Sequence, residues 1–390
     1  MKGRCSQMKV LFSGGAVYSA ATRQFVMADI LTDDGMITEI DSHVNAADAK
    51  VVDCTGKYIL PGLVDVHTHG RAGFDFNDID EAAVMTMRQA YAKAGTTTIM
   101  ATLASAEPEK LDESMRIINA QRDVKPGMAT IAGIHLEGRY LNPGRRGAHA
   151  PHLLAPLDPD ELNTYLDKMM PLPIHVSAAV EMENGDAFIK AAREKGATVA
   201  MVHSDATYEQ TRHAVEMGIR SFSHTFNDMK PVHHREPGNA VGSLLSDECW
   251  SEFICDGEHL NPAIVKMAVR CKPADKFMLV TDSMAAAGCS DGNYSIAGLP
   301  VIVKNGRAVN EEGALAGSTL DLFKAITNTM AFCDLPLEEV IPFATANPAA
   351  MLGISDVCGQ IRIGCRADFI LIEDKENPAI ESVWCAGERV

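Results

Sequence analysis

Apolar, β-branched runs alternate with helical patterning along the middle of this chain. The runs fall at Leu63–Val66, Thr96–Leu103, Ala129–Leu136, Ile174–Val180, Ala197–Val202, Ile219–Phe222, Glu252–Cys255 and Lys276–Thr281. Runs this short, bounded by turn residues, read as buried strands. Helices are predicted at Glu81–Ala94, Ala187–Lys195 and Tyr208–Met217. Each stops at a glycine (Gly95, Gly196, Gly218), the residue best suited to the left-handed position that ends a helix. About eight such βα units is the number that closes a (β/α)8 TIM barrel.

The two ends of the chain read differently. From about Met8 to Leu60 the apolar positions form short strand-like runs. Val10–Phe12 precedes Ser13-Gly14-Gly15, Phe25–Leu31 precedes Asp33-Asp34-Gly35, Ile37–Ile40 follows, and Val51-Val52 leads into Cys54-Thr55-Gly56. Gly359–Gly364, Ala367–Ile372 and Val383–Gly387 look alike at the other end. Neither set can bury its apolar face alone, so the two are expected to build one small β-sandwich. The expected division is residues 1–60 with 356–390 in the sandwich and 61–355 in the barrel.

Composition narrows the partners. The 390 residues are 46% hydrophobic, enough for a large core. Lys and Arg number 35 against 52 Asp and Glu, a net charge of −17, which argues against nucleic acid and anionic membranes as partners. No apolar run reaches the roughly 18 residues of a membrane span, and Met1–Gln7 is short and polar, so a cytoplasmic location is expected. The 10 cysteines (Cys5 among them) are scattered without a Cys-x-x-Cys pair, as free thiols in a reducing compartment would be.

The candidate chemistry lies where strands end. His67 and His69 stand at positions i and i+2 on the first strand and point to one side, so both imidazoles could reach one metal ion. His-x-His alone is weak, since 13 histidines in 390 residues would produce it by chance roughly 0.4 times. Glu137 ends the third strand, His203 the fifth, His224 the sixth and Asp282 the eighth. A barrel gathers the carboxyl ends of its strands at one face, so these six side chains converge. Imidazole and carboxylate donors suit zinc or iron(II). An aspartate free of the metal can take a proton from water and pass it to a leaving amine, as amide hydrolysis requires. Taken singly, Glu137 could merely pair with Arg139, and Asp282 could cap the next helix. His43, His135, His175 and His213 read as ordinary structural histidines, His213 on a helix surface and His135 near enough to Glu137 to support a ligand.

These residues sit in a recognisable series: Pro-Gly-Leu-Val-Asp-Val-His-Thr-His-Gly (61–70), His-Leu-Glu-Gly (135–138), Gly-Ala-His (147–149), His-Ser-Asp-Ala-Thr-Tyr (203–208), Ser-His-Thr-Phe-Asn (223–227), His-His-Arg-Glu-Pro-Gly (233–238), Asp-Gly-Glu-His (256–259), Val-Thr-Asp-Ser-Met-Ala-Ala-Ala-Gly (280–288) and Leu-Ala-Gly-Ser (315–318). In order and spacing the chain resembles the N-acetylglucosamine-6-phosphate deacetylases of the amidohydrolase superfamily over nearly its whole length. The resemblance implies an amidohydrolase barrel with a β-sandwich, usually a homodimer, removing acetate from an N-acetyl amino-sugar phosphate. It implies one or two divalent metals per subunit, zinc or iron: Glu137, His203 and His224 for the main ion, His67 and His69 for a second that Glu137 bridges. Asp282 becomes the general base and then acid, and His149 orients the acetamide. Asn227, His259 and Arg235 contact the sugar phosphate, Arg235 from the partner subunit, with Leu315 in the last motif beside the substrate.

Two positions depart from the family pattern. Arg139-Tyr140 follows Gly138, and Asp228 stands where a small residue is usual. A carboxylate near a phosphate is repulsive unless Asp228 points away or Arg139 neutralises it. The alternatives are a deacetylase of N-acetylgalactosamine 6-phosphate or of an unphosphorylated N-acyl amine and, more distantly, a cyclic-amide hydrolase or a non-catalytic barrel. The cyclic-amide hydrolases typically carry a metal-bridging lysine at the end of the fourth strand, and Ile174–Glu181 has none.

Overall fold

The computed structural model describes residues 9–390; Cys5 and the polar start of the chain lie outside the described residues. Eight parallel strands pair in sequence order: β1 (Leu63–Thr68), β2 (Thr96–Leu103), β3 (Thr130–Glu137), β4 (Ile174–Ala178), β5 (Thr198–Met201), β6 (Ser221–Phe222), β7 (Trp250–Phe253) and β8 (Phe277–Leu279). The longer helices between and after them are α1 (Glu81–Lys93), α2 (Pro108–Ala120), α3 (Pro159–Met169), α4 (Gly185–Glu194), α5 (Tyr208–Met217), α6 (Gly238–Leu245), α7 (Pro262–Cys271) and α8 (Leu322–Cys333). Each expected run is a strand to within a few residues. The reason is burial on both faces, which selects continuous apolar and β-branched sequence; all of β2, Thr-Thr-Thr-Ile-Met-Ala-Thr-Leu, is buried. Helices α1, α4 and α5 stop one or two residues before Gly95, Gly196 and Gly218, whose φ values are +87°, +79° and +104°.

The barrel closes beside the candidate site residues. Strands β1 and β8 share no regular ladder. Instead Asp282 N donates to His67 O at 2.9 Å and His69 N to Ser283 O at 2.8 Å, while deeper in the seam the Thr281 hydroxyl donates to Asp65 at 2.6 Å. Asp282 is therefore committed to closing the barrel beside His67 and does not cap a helix; α8 begins forty residues later, at Leu322.

Both termini form one eight-stranded sheet, as expected for the small sandwich. Strands Val10–Ser19, Gln24–Asp33, Met36–Asp41, Lys50–Asp53 and Tyr58–Pro61 are joined by Phe369–Ile372, Ser382–Cys385 and Glu388–Arg389. The joint is the antiparallel pairing of Tyr58–Pro61 with Phe369–Ile372. Phe12 packs edge-on to both Phe369 and Trp384 at 4.9 Å, so residues more than 350 positions apart share one core.

Three local expectations change. Ser13-Gly14-Gly15 is a bulge inside a ten-residue strand, not the turn that ends it: Asp29 accepts from the Ser13 hydroxyl at 3.0 Å and from Gly14 N at 2.8 Å. Residues 359–364 are not a strand; Gly359 and Gly364, at φ +78° and +89°, turn the chain instead. A three-stranded antiparallel sheet, Gly292–Ile296, Leu299–Lys304 and Arg307–Val309, stands between β8 and α8 where the sequence reading assigns no element.

Candidate active site

Glu137, the last residue of β3, is the hub of the site and is 2% exposed. Its Oε2 lies 3.3 Å from His67 Nε2 and 3.0 Å from His69 Nε2. Its Oε1 lies 2.9 Å from His224 Nε2 and 3.6 Å from His203 Nε2. One carboxylate thus faces two pairs of imidazoles, one pair per oxygen. Asp282 Oδ1 stands on the first side, 3.2 Å from His69 Nε2 and 3.6 Å from His67 Nε2.

The backbone is strained to bring them there. His203, His224 and Asp282 each lie two or three residues past their strand and hold φ values of +43°, +26° and +49°. This left-handed region is costly for a side-chain-bearing residue, about 1–3 kcal/mol, and such outliers gather at functional sites. Turning the chain sharply at the strand's end aims these side chains over the barrel mouth instead of continuing the ladder.

The electrostatics ask for positive charge at the centre. Burial opposes charging His67, but Glu137 and Glu252 outweigh it and raise its pKa well above the ordinary value. Burial likewise opposes a charge on His69, and Asp282 and Glu137 raise it to about 9. Burial favours a neutral Asp282, yet His69 and His67 pull its pKa down to about 2. His67 Nε2 is buried without a hydrogen-bond partner although it faces two carboxylates. Three overlapping groups, His67-Glu137-His224, His67-His69-Asp282 and Glu137-His149-His203, have ligand atoms within 4.8 Å of one another. A donor set of this kind fits a divalent metal.

A cavity of about 310 Å³ opens onto this centre, lined by His69, Glu137, His149, His203, His224, Asn227, Asp228, His259, Asp282 and Leu315. The cavity wall therefore carries every sequence-predicted site residue except two. His67 lies just beneath, fully buried. Arg235 is in an exposed loop, its guanidinium against His234 at 2.8 Å, outside this subunit's own cavity. Ile296 from the unforeseen sheet and Ala314 help to roof the cavity.

Arg139 does not neutralise Asp228. Its guanidinium pairs with Glu161 at 3.1 Å, and its main-chain N–H is held by the Ser105 hydroxyl at 2.9 Å. Asp228, at φ +47°, keeps its carboxylate on the cavity wall, 3.6 Å from His203 Nδ1. Of the bland histidines, His213 does lie on the surface of α5, against Asp186 at 2.9 Å, and His43 is exposed. His135 is satisfied in the barrel interior by Ser177 and Thr102 at 2.7 and 3.1 Å.

Several site residues were not read from the sequence. Ser105 lies 2.9 Å from His149 Nδ1, and Asp256 binds His259 Nδ1 at 2.6 Å. Burial works against a charge on His259, but Asp256 raises its pKa. Glu252 lies 2.9 Å from His67 Nδ1. The signal for Glu252 was present: a carboxylate heading an apolar strand run must face a partner.

A (β/α)8 barrel whose strand ends carry a histidine and carboxylate cluster around one glutamate defines a metal-dependent hydrolase. Residues 58–390 match the amidohydrolase family. The chain is 32% identical over 346 residues to the N-acetylglucosamine-6-phosphate deacetylase of Lysinibacillus sphaericus, covering 89% of each. It is 31% identical over 360 residues to the N-acetylgalactosamine-6-phosphate deacetylase of Escherichia coli, covering 91% of this chain and 92% of that one. Among solved structures it is similar, at 30% identity and a TM-score of 0.88, to a mutant N-acetyl-D-glucosamine-6-phosphate deacetylase of Mycobacterium smegmatis in complex with N-acetyl-D-glucosamine-6-phosphate, covering 98% and 99% of the two chains. The chain belongs to the amidohydrolase family and, within it, to the N-acetylglucosamine-6-phosphate deacetylase family.

Proposed function

We propose that this chain hydrolyses the N-acetyl group of N-acetylglucosamine 6-phosphate, giving glucosamine 6-phosphate and acetate. The observation that carries the reading is the meeting of four histidines on Glu137 beside Asp282, on a cavity large enough for a small sugar. Glu137, His203 and His224 would hold the principal metal, and His67 and His69, with Glu137, would hold a second, zinc or iron(II) suiting these donors. When bound, such a metal supplies Lewis acidity and lowers the pKa of water to about 7.

The chain's own groups do the rest. The Asp282 carboxylate takes a proton from the attacking water and returns it to the amide nitrogen as the C–N bond breaks, so the amine departs neutral, and the water's second proton leaves the acyl product as it becomes acetate and is released to solvent or to the amine. Burial, with His203 next, lowers the His149 pKa to about 3 and keeps its imidazole neutral. The Ser105 hydroxyl already accepts from Arg139 N at 2.9 Å, so its own proton can go to His149 Nδ1. The other ring nitrogen is then an N–H donor for the acyl oxygen. His259, whose pKa Asp256 raises, suits an anionic substrate group, with Asn227 and Leu315 completing the sugar contacts. No lysine or arginine lines the cavity among the described residues. That favours a homodimer in which Arg235 reaches a phosphate in the partner's site.

N-acetylgalactosamine 6-phosphate is the second reading, favoured by the nearly equal identity to deacetylases of that sugar. Acetate release measured in parallel from N-acetylglucosamine, N-acetylgalactosamine and their 6-phosphates tests both. Fastest turnover of N-acetylglucosamine 6-phosphate is expected. Preference for unphosphorylated sugars overturns the Arg235 and His259 roles and points to Asp228.

A further inference from the structure

Beneath the site, inside the barrel, stands a carboxylate that the proposed reaction does not use. Glu252, on β7, is 0% exposed, as are His67 above it and His175 beside it. Burying a carboxylate this deeply costs several kcal/mol unless its oxygens are engaged. Glu252 Oε2 accepts from two directions: His67 Nδ1 at 2.9 Å and the main-chain N–H of His224 at 3.3 Å. It therefore grips one imidazole on the His67/His69 side and the backbone of a second on the His203/His224 side.

A second histidine stands behind Glu252: its Oε1 faces His175 Nε2 at 3.6 Å, and neither atom has a hydrogen-bond partner. The Thr198 hydroxyl donates to Ile174 O at 3.1 Å, so it must accept from His175 Nδ1–H at 2.8 Å, which fixes the His175 ring. A line of contacts thus runs from Thr198 on β5 through His175 on β4 and Glu252 on β7 to His67 on β1, crossing the barrel.

The consequence follows from valence. A carboxylate oxygen only accepts, so His67 Nδ1 must be an N–H, which leaves Nε2 as the ring nitrogen that offers its lone pair when the proton there is replaced by a metal. Nε2 is the atom that faces Glu137 and Asp282 and has no hydrogen-bond partner. We infer that Glu252 is a positioning residue that locks His67 in the tautomer and orientation needed to ligate metal, and so governs metal binding on the His67/His69 side. This deepens the metal-site reading above and rests on it. Outer partners of ligating histidines are worth about 10–100-fold in metal affinity.

The test compares two variants with the wild-type protein. Glu252→Leu removes the acceptor at similar volume; Glu252→Gln keeps one acceptor oxygen for His67 and offers an amide to His175. Zinc stoichiometry and affinity are measured by elemental analysis and competition titration, with the thermal melt of chelator-treated protein recorded alongside. Glu252→Leu is expected to weaken binding at the His67/His69 position about 10–100-fold, Glu252→Gln only a few-fold, with the His203/His224 position retained. In a His67→Ala background Glu252→Leu should have little further effect on zinc binding. Nitrogen-15 chemical shifts of the zinc-loaded wild-type protein should report His67 protonated at Nδ1, a measurement that holds even if a variant fails to fold. Wild-type zinc binding by Glu252→Leu, or His67 protonated at Nε2, overturns the inference alone. A wild-type protein that takes up no metal overturns the functional reading and this inference together.

Discussion

At the scale of single residues, the site works by giving neighbouring groups of one type different tasks. Glu137 and Asp282 are both buried carboxylates near the same histidines, but Glu137 is shared between two imidazole pairs whereas Asp282 touches only His67 and His69. Both line the cavity, but Asp282 is 9% exposed against 2% for Glu137, so in the proposed reaction Asp282 would exchange the proton with substrate and Glu137 would serve as a ligand. Replacing Asp282 by Asn is expected to leave metal content unchanged and to lower kcat by roughly 10²–10⁴-fold, the usual worth of a positioned general base. Elemental analysis and an acetate-release assay on the same preparation check this, and undiminished turnover refutes the role. The residue types at these positions were legible in the sequence because barrel topology fixes where strand ends meet. Their left-handed backbone was not, since His203, His224 and Asp282 have no intrinsic preference for it and are held by the surrounding fold.

At the scale of elements, two connections carry most of the precision. Where β3 ends, Gly138 sits at φ +152°, and a Cβ there would meet Ser105 N at 2.3 Å and its Oγ at 2.6 Å. Gly138→Ala must push Ser105 away, and Ser105 is what touches His149. A destabilisation of about 1–3 kcal/mol is expected by denaturant titration, together with a fall in kcat beyond that of a surface control. In the terminal sheet, Asp29 holds the Phe12–Gly15 bulge through Ser13 and Gly14 and also accepts from Val44 N at 3.1 Å. Burial works against its charge, yet these donors together lower its pKa. A folded pKa below the unfolded one, about 3.9, contributes stability that is complete above that value and is lost as pH falls through the folded pKa. Asp29→Asn should therefore lower Tm most at neutral pH, and the gap to wild type should narrow below about pH 4. A gap independent of pH would mean that the amide oxygen does as well as the carboxylate. The strand-rich character of this region was readable from sequence, but the bulge was not: Ser13-Gly14-Gly15 has the composition of a turn, and only its bonds to Asp29 keep the strand going.

At the scale of the whole molecule, the barrel is closed by residues of the candidate site. Asp282 and Ser283 bond to His67 and His69 across the seam between the first and last strands. Anything that draws these groups together stabilises the closed barrel, and a metal held by the folded site would do so. Chelation is expected to lower Tm by several degrees, with recovery on adding zinc or iron(II); at ligand 100-fold above Kd the stabilisation is about 2.7 kcal/mol. The same loss without chelator is expected of His224→Ala, measured by calorimetry. Among the described residues no helix is long and apolar enough to cross a membrane.

The sequence by itself determined the alternation of strands and helices, the pairing of the two ends into a second sheet, and which strand ends carry histidine or carboxylate. Burial periodicity and helix-terminating glycines are local signals and survive in any context. Tertiary structure alone decided that Glu252 faces His67, that Arg139 turns to Glu161 and leaves Asp228 unneutralised, and that the sheet of residues 292–309 helps to roof the cavity. Each of these depends on contacts between side chains tens to hundreds of residues apart. Their direction is set when the barrel closes, and no property of the short segments containing them specifies it beforehand.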